Sequence, residues 1–113
     1  MKNLFVAVLG TWLILTACDK NTIERGTPAC VNNKIYEFDN ETICTDSVRV
    51  EEYIFQSKTV YVFCPGICGA DMTSQVIDSE CNALGYLGGF IGNTVINGED
   101  FDHALFVKII WEK

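Results

Sequence analysis

The sequence has little of what most enzymes and nucleic-acid binders need. It carries one histidine, His103, and no Gly-x-Ser-x-Gly turn, so no nucleophile with a base beside it can be assembled from its motifs. Basic residues are few: eight Lys and Arg against fifteen Asp and Glu, for a net charge of −7, with no basic run. Nucleic-acid binding draws on neutralising phosphates with clustered Lys and Arg, and this chain has nothing to do it with. No lysine or arginine lies between Lys58 and Lys108, which leaves the glycine-rich Gly85-Tyr86-Leu87-Gly88-Gly89-Phe90-Ile91-Gly92-Asn93 without the cation of a phosphate loop. Those glycines are better read as places where backbone turns tightly against a small core. Internal repeats and low-complexity tracts are missing too. Carboxylate neighbours such as Glu51/Glu52 and Asp78/Glu80 follow from an acidic composition and single out no general acid–base pair. The expectation is a non-enzymatic chain with no cofactor.

No apolar run is long enough to stay in a bilayer, which takes about 20 residues. The run that exists, Leu4 to Ala17, follows the basic start Met1-Lys2-Asn3 and ends in Leu15-Thr16-Ala17-Cys18. A basic start, a short apolar core and small residues before a cut site mark an export signal. The Leu15-Thr16-Ala17-Cys18 ending resembles the bacterial lipobox, in which the cysteine gains a diacylglyceryl thioether and becomes the new N-terminus. Residues 1–17 are thus expected to be a cleaved lipoprotein signal, 18–28 a lipidated tether and 29–113 a single domain. Loss of Lys2 makes the mature chain one unit more acidic. Its expected hold on the lipid bilayer is therefore the acyl chains on Cys18, at about 0.8 kcal/mol per buried CH₂, and not surface charge. The expected location is the cell envelope, the outer membrane favoured over the inner, with an envelope protein as the expected partner. Asn40-Glu41-Thr42 and Asp46-Ser47-Val48 match short glycosylation patterns, the second with Ser47 as acceptor, and three-residue matches arise often by chance.

Setting Cys18 aside leaves five cysteines: Cys30, Cys44, Cys64, Cys68 and Cys81. Small exported domains pair their thiols because their cores are marginal, so two disulfides and one free thiol are expected. Cys68 with Cys81, flanking one strand, and Cys30 with Cys44, pinning a helix to its loop, is one arrangement, with Cys64 free. Cys44 with Cys64 is the rival. Cys64-Pro65-Gly66-Ile67-Cys68 has a dithiol outline, but with three intervening residues and no helix start to lower a thiol pKa. A zinc site from Cys64, Cys68, Cys81 and His103 matches no compact ligand spacing. Asn97-Gly98-Glu99-Asp100-Phe101-Asp102 is rich in oxygen ligands without a calcium loop's alternation, and reads as a solvated turn with acids at a helix start. No metal is expected.

Thr27-Pro28 suggests a helix start, with a capping hydroxyl and proline at the first helical position. Val31, Ile35 and Phe38 then form one apolar stripe that Asp39-Asn40 ends. Residues 47–55 alternate, and Thr59 to Phe63 is β-branched and aromatic, so the two predict a hairpin across Gln56-Ser57-Lys58. Cys64-Pro65-Gly66 stops the second strand. Thr73 to Asp78 is a third strand, Leu84 to Asn93 an irregular loop, Asp100 to His103 one helical turn, and Ala104 to Trp111 a strand buried on both sides. The fold class is α+β, one short helix on a mainly antiparallel sheet of about four strands, held by disulfides.

The second half resembles a family of small Bacteroidetes lipoproteins known only as a domain of unknown function. The shared residues are Lys58-Thr59-Val60-Tyr61, Cys68 with Asp71, Cys81, Gly88-Gly89 with Gly92, Phe101 and Ile110-Trp111, and a helix beginning at Cys30 also fits. The resemblance covers about residues 29–112. This chain departs from the family in carrying Cys44 and Cys64 and in lacking a cysteine just before Phe101. The resemblance implies no activity. Two further readings remain alongside the non-enzymatic one: an extracytoplasmic thiol-redox factor using Cys64 and Cys68, and a protease inhibitor presenting the Pro65 to Ala70 loop.

Overall fold

The computed structural model describes residues 22–113. The expected signal peptide, Cys18 and the first part of the expected tether lie outside the described residues. Helix α1 spans Ala29–Glu41. It starts differently from the expectation: Pro28 itself is the cap, its carbonyl accepting from the Val31 and Asn32 N–H groups, while the Thr27 hydroxyl donates to the Glu24 carbonyl. It also runs past Asp39-Asn40. Thr42 closes it, donating from N–H and hydroxyl to the Phe38 carbonyl at 2.9 and 2.6 Å. Lys113 Nζ then donates to the carbonyls of Asp39 and Thr42 at 3.1 and 2.9 Å, placing a cation at the negative end of the helix.

Strands β1 (Val48–Phe55), β2 (Lys58–Pro65), β3 (Thr73–Asp78), β4 (Ala83–Gly88) and β7 (Leu105–Glu112) form one antiparallel sheet in the order β4-β3-β2-β1-β7. A small hairpin of β5 (Val95–Ile96) and β6 (Glu99–Asp100) leads into a 3₁₀ turn at Phe101–His103. The α+β class holds, with five strands in the main sheet and not four. The additional strand is β4, placed in a stretch expected to be an irregular loop. Its glycines hide the strand signal, but β3 supplies a ladder for it and Ile96 leaves little room for a side chain at Gly85, where a Cβ would meet Ile96 Cδ1 at 3.1 Å.

The period-2 alternation sorts the side chains into two layers. Val48 and Val50 of β1, Tyr61 and Phe63 of β2 and Ile77 of β3 face α1, where Val31, Ile35 and Phe38 meet them. Phe38 packs edge-on to Phe63 at 5.2 Å and to Trp111 at 6.1 Å, pairs that add about 0.5–1.5 kcal/mol beyond area burial. Phe55, Val60, Val62 and Val76 occupy the other face with Leu84 and Leu87 of β4 beside them, covered by Ile96, Phe101 and Ala104. The β5–β6 hairpin and the 3₁₀ turn are therefore a second lid. The β1–β2 turn, Gln56-Ser57, and the β5–β6 turn, Asn97-Gly98, both have positive φ at their two central residues and lock together through Asn97 Nδ2 donating to Gln56 Oε1 at 2.8 Å.

Strand β7 is the second correction. It was expected to be buried on both sides, but it is the sheet's edge, and only Ile110 and Trp111 are buried. Bulges opposite Val50/Glu51 and Glu52/Tyr53 break its alternation, which is why these two consecutive residues both reach the helix-side core. Leu105, Phe106, Val107 and Ile109 stay exposed.

The disulfides are Cys30–Cys81 and Cys44–Cys68, with Cα separations of 6.2 and 5.5 Å. Neither the pairs Cys68–Cys81 and Cys30–Cys44 nor the rival Cys44–Cys64 forms. Cys30 is on α1 and Cys81 in the β3–β4 turn, so this bridge fastens the helix to the far side of the sheet. Cys44 follows the helix and reaches Cys68 in the β2–β3 loop. Among the described residues Cys64 is the free thiol, as in the first of the two arrangements and not in its rival. In the chain-entropy account the two bridges contribute about 4 and about 3.5 kcal/mol.

Candidate functional site

Two arrangements of side chains stand out, one on each face of the sheet. On the helix side, α1 packs on Val48, Val50, Tyr61, Phe63, Ile77 and Trp111, and it leaves the Thr73 and Gln75 end of β3 and Tyr86 of β4 uncovered. The result is an open cleft of about 310 Å³. Its helix wall is Lys34, Glu37, Phe38 and Glu41, positions that share one face of α1 through their three- and four-residue spacing. Phe63, Thr73, Gln75 and Tyr86 form the sheet wall. Gln75 Nε2 donates to Tyr86 Oη at 3.2 Å across the β3–β4 ladder. Asn93 fixes the strand that carries Tyr86, donating from its amide to the Tyr86 carbonyl at 2.6 Å and to the Val95 carbonyl at 2.9 Å. Aromatic surface at the base, with amide, carboxylate and ammonium groups at the rim, is the build of a recognition site. None of these cleft residues was singled out as a site in the sequence. The cleft joins a helix face to two strands, one of them hidden by its glycines.

On the opposite face, Glu51 gathers a polar cluster. Arg49 Nε donates to Glu51 Oε2 at 2.7 Å, Tyr53 Oη donates to Oε1 at 2.9 Å, and the Cys64 thiol donates to Oε1 at 3.7 Å. The residues are adjacent because Arg49, Glu51 and Tyr53 alternate along β1 and Cys64 stands opposite Arg49 on β2. Burial, reinforced by the Glu51 charge, pushes the Cys64 thiol up to about 11. Burial and the hydrogen bond to Glu51 push the Tyr53 phenol up to about 12. The hydrogen bond to Glu51 also raises the Arg49 pKa, against desolvation. These shifts keep the thiol and phenol protonated at neutral pH, which makes both poor nucleophiles.

The other sequence candidates fall elsewhere. Cys68 is bonded to Cys44, so Cys64 and Cys68 form no dithiol pair. Cys81 is bonded to Cys30, and His103 Nδ1 faces Glu99 Oε2 at 3.0 Å, so the four residues weighed for zinc do not converge. Among the described residues no group of three His, Cys, Asp or Glu side chains is placed to hold a metal. Glu51 and Glu52, as neighbours on a strand, point to opposite faces. Asp78 closes its own turn, accepting from the Glu80 and Asn82 N–H groups and the Asn82 amide at 2.9–3.0 Å. Slight burial raises its carboxyl pKa, but these hydrogen bonds outweigh it and hold the group below its ordinary value. The acidic run around Asp100 is a turn feeding a helical start, as expected, with Asp100 Oδ1 accepting from the Asp102 N–H.

A family model described as a domain of unknown function (DUF6970) matches residues 36–113. The chain belongs to the DUF6970 family. The match begins within α1 and takes in the whole sheet, so every cleft residue except Lys34 lies inside the DUF6970 region, as does the Glu51 cluster. Comparison with curated proteins and with solved structures finds no match.

Proposed function

We propose that this DUF6970 protein is a lipid-anchored envelope protein, tethered through Cys18, whose domain binds a partner and does no chemistry. The observation that carries the binding part is the cleft between α1 and the β3–β4 flank, with its Phe38, Phe63 and Tyr86 surface and its Gln75, Glu37 and Lys34 rim. The lipid anchor rests on Leu15-Thr16-Ala17-Cys18 and the basic, apolar lead before it. An envelope protein offering an apolar side chain with polar backbone on either side suits the cleft's chemistry. A photo-cross-linking residue at Gln75 in intact cells tests this. The expected result is a discrete adduct that Tyr86→Ala removes without unfolding the domain. An adduct unchanged by Tyr86→Ala, or equally strong from a reporter at Glu80 on the β3–β4 turn, refutes the cleft as the binding site.

One observation favours a second reading, protease inhibition. Ile67 is 74% exposed in the Pro65 to Ala70 loop, and the next residue, Cys68, is fastened to Cys44. An exposed apolar side chain on a cross-braced loop is what a protease subsite would accept. A protease panel showing no inhibition by the purified domain, or inhibition insensitive to Ile67→Glu, removes it. The thiol-redox reading has less support, since Cys64 stands alone with a raised pKa.

A further inference from the structure

The exposed edge of the sheet and the point where the tether meets it lie together. Strand β7 presents Leu105 and Phe106 at 67% and 55% exposure, followed by Val107 and Ile109, with Lys108 the one charge among them. Register places Leu105 opposite Ile54 and Phe106 opposite Tyr53, so neighbouring apolar side chains emerge on both faces of the edge and form a rim. The chain enters the fold beside this rim. Ile23 packs against the helix-side core, the Glu24 N–H donates to the Ile110 carbonyl at 2.9 Å, and Glu24 Oε1 lies 3.8 Å from Lys108 Nζ. Part of the segment expected to be a free spacer is therefore fastened to β7.

We propose that the β7 rim rests on the membrane that holds Cys18, with Leu105, Phe106, Val107 and Ile109 set into the interfacial layer of the bilayer. The proposal rests on lipidation of Cys18, as argued above. Six residue steps separate Cys18 from Glu24, which at full extension span about 20 Å, and any bend brings the domain closer. A spacer that ends on β7 delivers this edge to the bilayer first. The opposite edge, β4, lies about 19 Å away across four strand spacings, and the turn that follows it carries the exposed Phe90 and Ile91. The rim's depth is bounded. An open strand edge has unpaired backbone groups that hydrocarbon cannot satisfy, so β7 lies among headgroups and water and only its side chains reach inward. An acidic domain with one lysine at its contact edge suits a zwitterionic surface better than an anionic one.

The test uses the full acylated protein in zwitterionic vesicles containing brominated lipid. Reporters are Phe106→Trp and Leu105→Trp on the two faces of the rim and Phe90→Trp on the far edge, each corrected for buried Trp111. The expected result is bromine quenching at both rim positions at least twice that at Phe90. Mass spectrometry reads the anchor separately. An acylated chain whose rim reporters are quenched no more than Phe90→Trp overturns the orientation and leaves the lipoprotein reading standing. Rim reporters that are unquenched but shielded in a concentration-dependent dimer overturn it in favour of a second copy. A chain with an uncleaved, unacylated leader overturns both.

Discussion

Cys64 and Gly66 sit two residues apart and are constrained in opposite ways. The Cys64 thiol is shielded from solvent and faced by a carboxylate, so its proton is held to about pH 11. Alkylation of the folded protein at pH 8 should be slow and limited to one thiol, and should become fast on unfolding, as mass spectrometry of the modified chain will show. Because the folded pKa of Cys64 and of Tyr53 is raised, both favour the folded state fully below their unfolded values near 9 and 10. That contribution is lost as pH rises toward 11 and 12. Denaturant midpoints should therefore fall above about pH 9, and Glu51→Gln should lower the thiol pKa while burial keeps it above 9. Gly66 is constrained by space: at φ +98°, a Cβ would come within 2.7 Å of both the Asp46 carbonyl oxygen and Cys44 Cβ. Gly66→Ala should cost about 2–3 kcal/mol, measured by urea unfolding.

At the scale of elements, α1 is held by its stripe, by one disulfide and by a basic residue at its far end. Lys113→Met keeps the stem but removes the two hydrogen bonds to Asp39 and Thr42, and should cost about 1 kcal/mol in thermal or denaturant unfolding. How far these elements could be read from sequence depended on whether the signal was local. The stripe Val31, Ile35, Phe38 and the alternation in β1 and β2 each lie within one segment, and β3 was legible to its end residues. Strand β4 was not, because Gly85 and Gly88 supply no side chain to alternate and only its pairing with β3 defines it. The Asn97-Gly98 hairpin signal is local, but it lies within an oxygen-rich stretch whose side chains suggest a solvated turn as readily as a strand pair. Strand β7 was legible as a strand but not as an edge, since an apolar run does not say how many neighbours it has. The cleft was illegible for a related reason: Lys34, Gln75 and Tyr86 meet only when helix, β3 and β4 are in place.

For the whole molecule, the anchor and the domain are separable by the proposal made for Cys18. Cys18→Ser should move the protein from the membrane to the soluble fraction while leaving its thermal unfolding unchanged, a comparison that fractionation and circular dichroism make directly. A variant that stays with membranes would show that something other than acylation holds it there. Reduction should act in the opposite sense, leaving the anchor untouched and weakening the fold. Opening Cys30–Cys81 releases α1 from the β3–β4 turn and should cost about 4 kcal/mol in the chain-entropy account, read as a shift in urea midpoint for Cys30→Ser with Cys81→Ser.

The odd thiol on its separate face has a bearing on how the protein is made. Cys30, Cys44 and Cys81 lie on the helix side, with Cys68 bonded to Cys44, whereas Cys64 packs against the opposite layer. Five free thiols can be joined into two bridges in fifteen ways, four in only three. A nascent chain that closes the β1–β2 hairpin early turns Cys64 away from the other four before an oxidant arrives, and the sheet then acts as a partition that sorts the thiols. If the hairpin closed before oxidation, the native pairing would be chosen from three arrangements and not from fifteen.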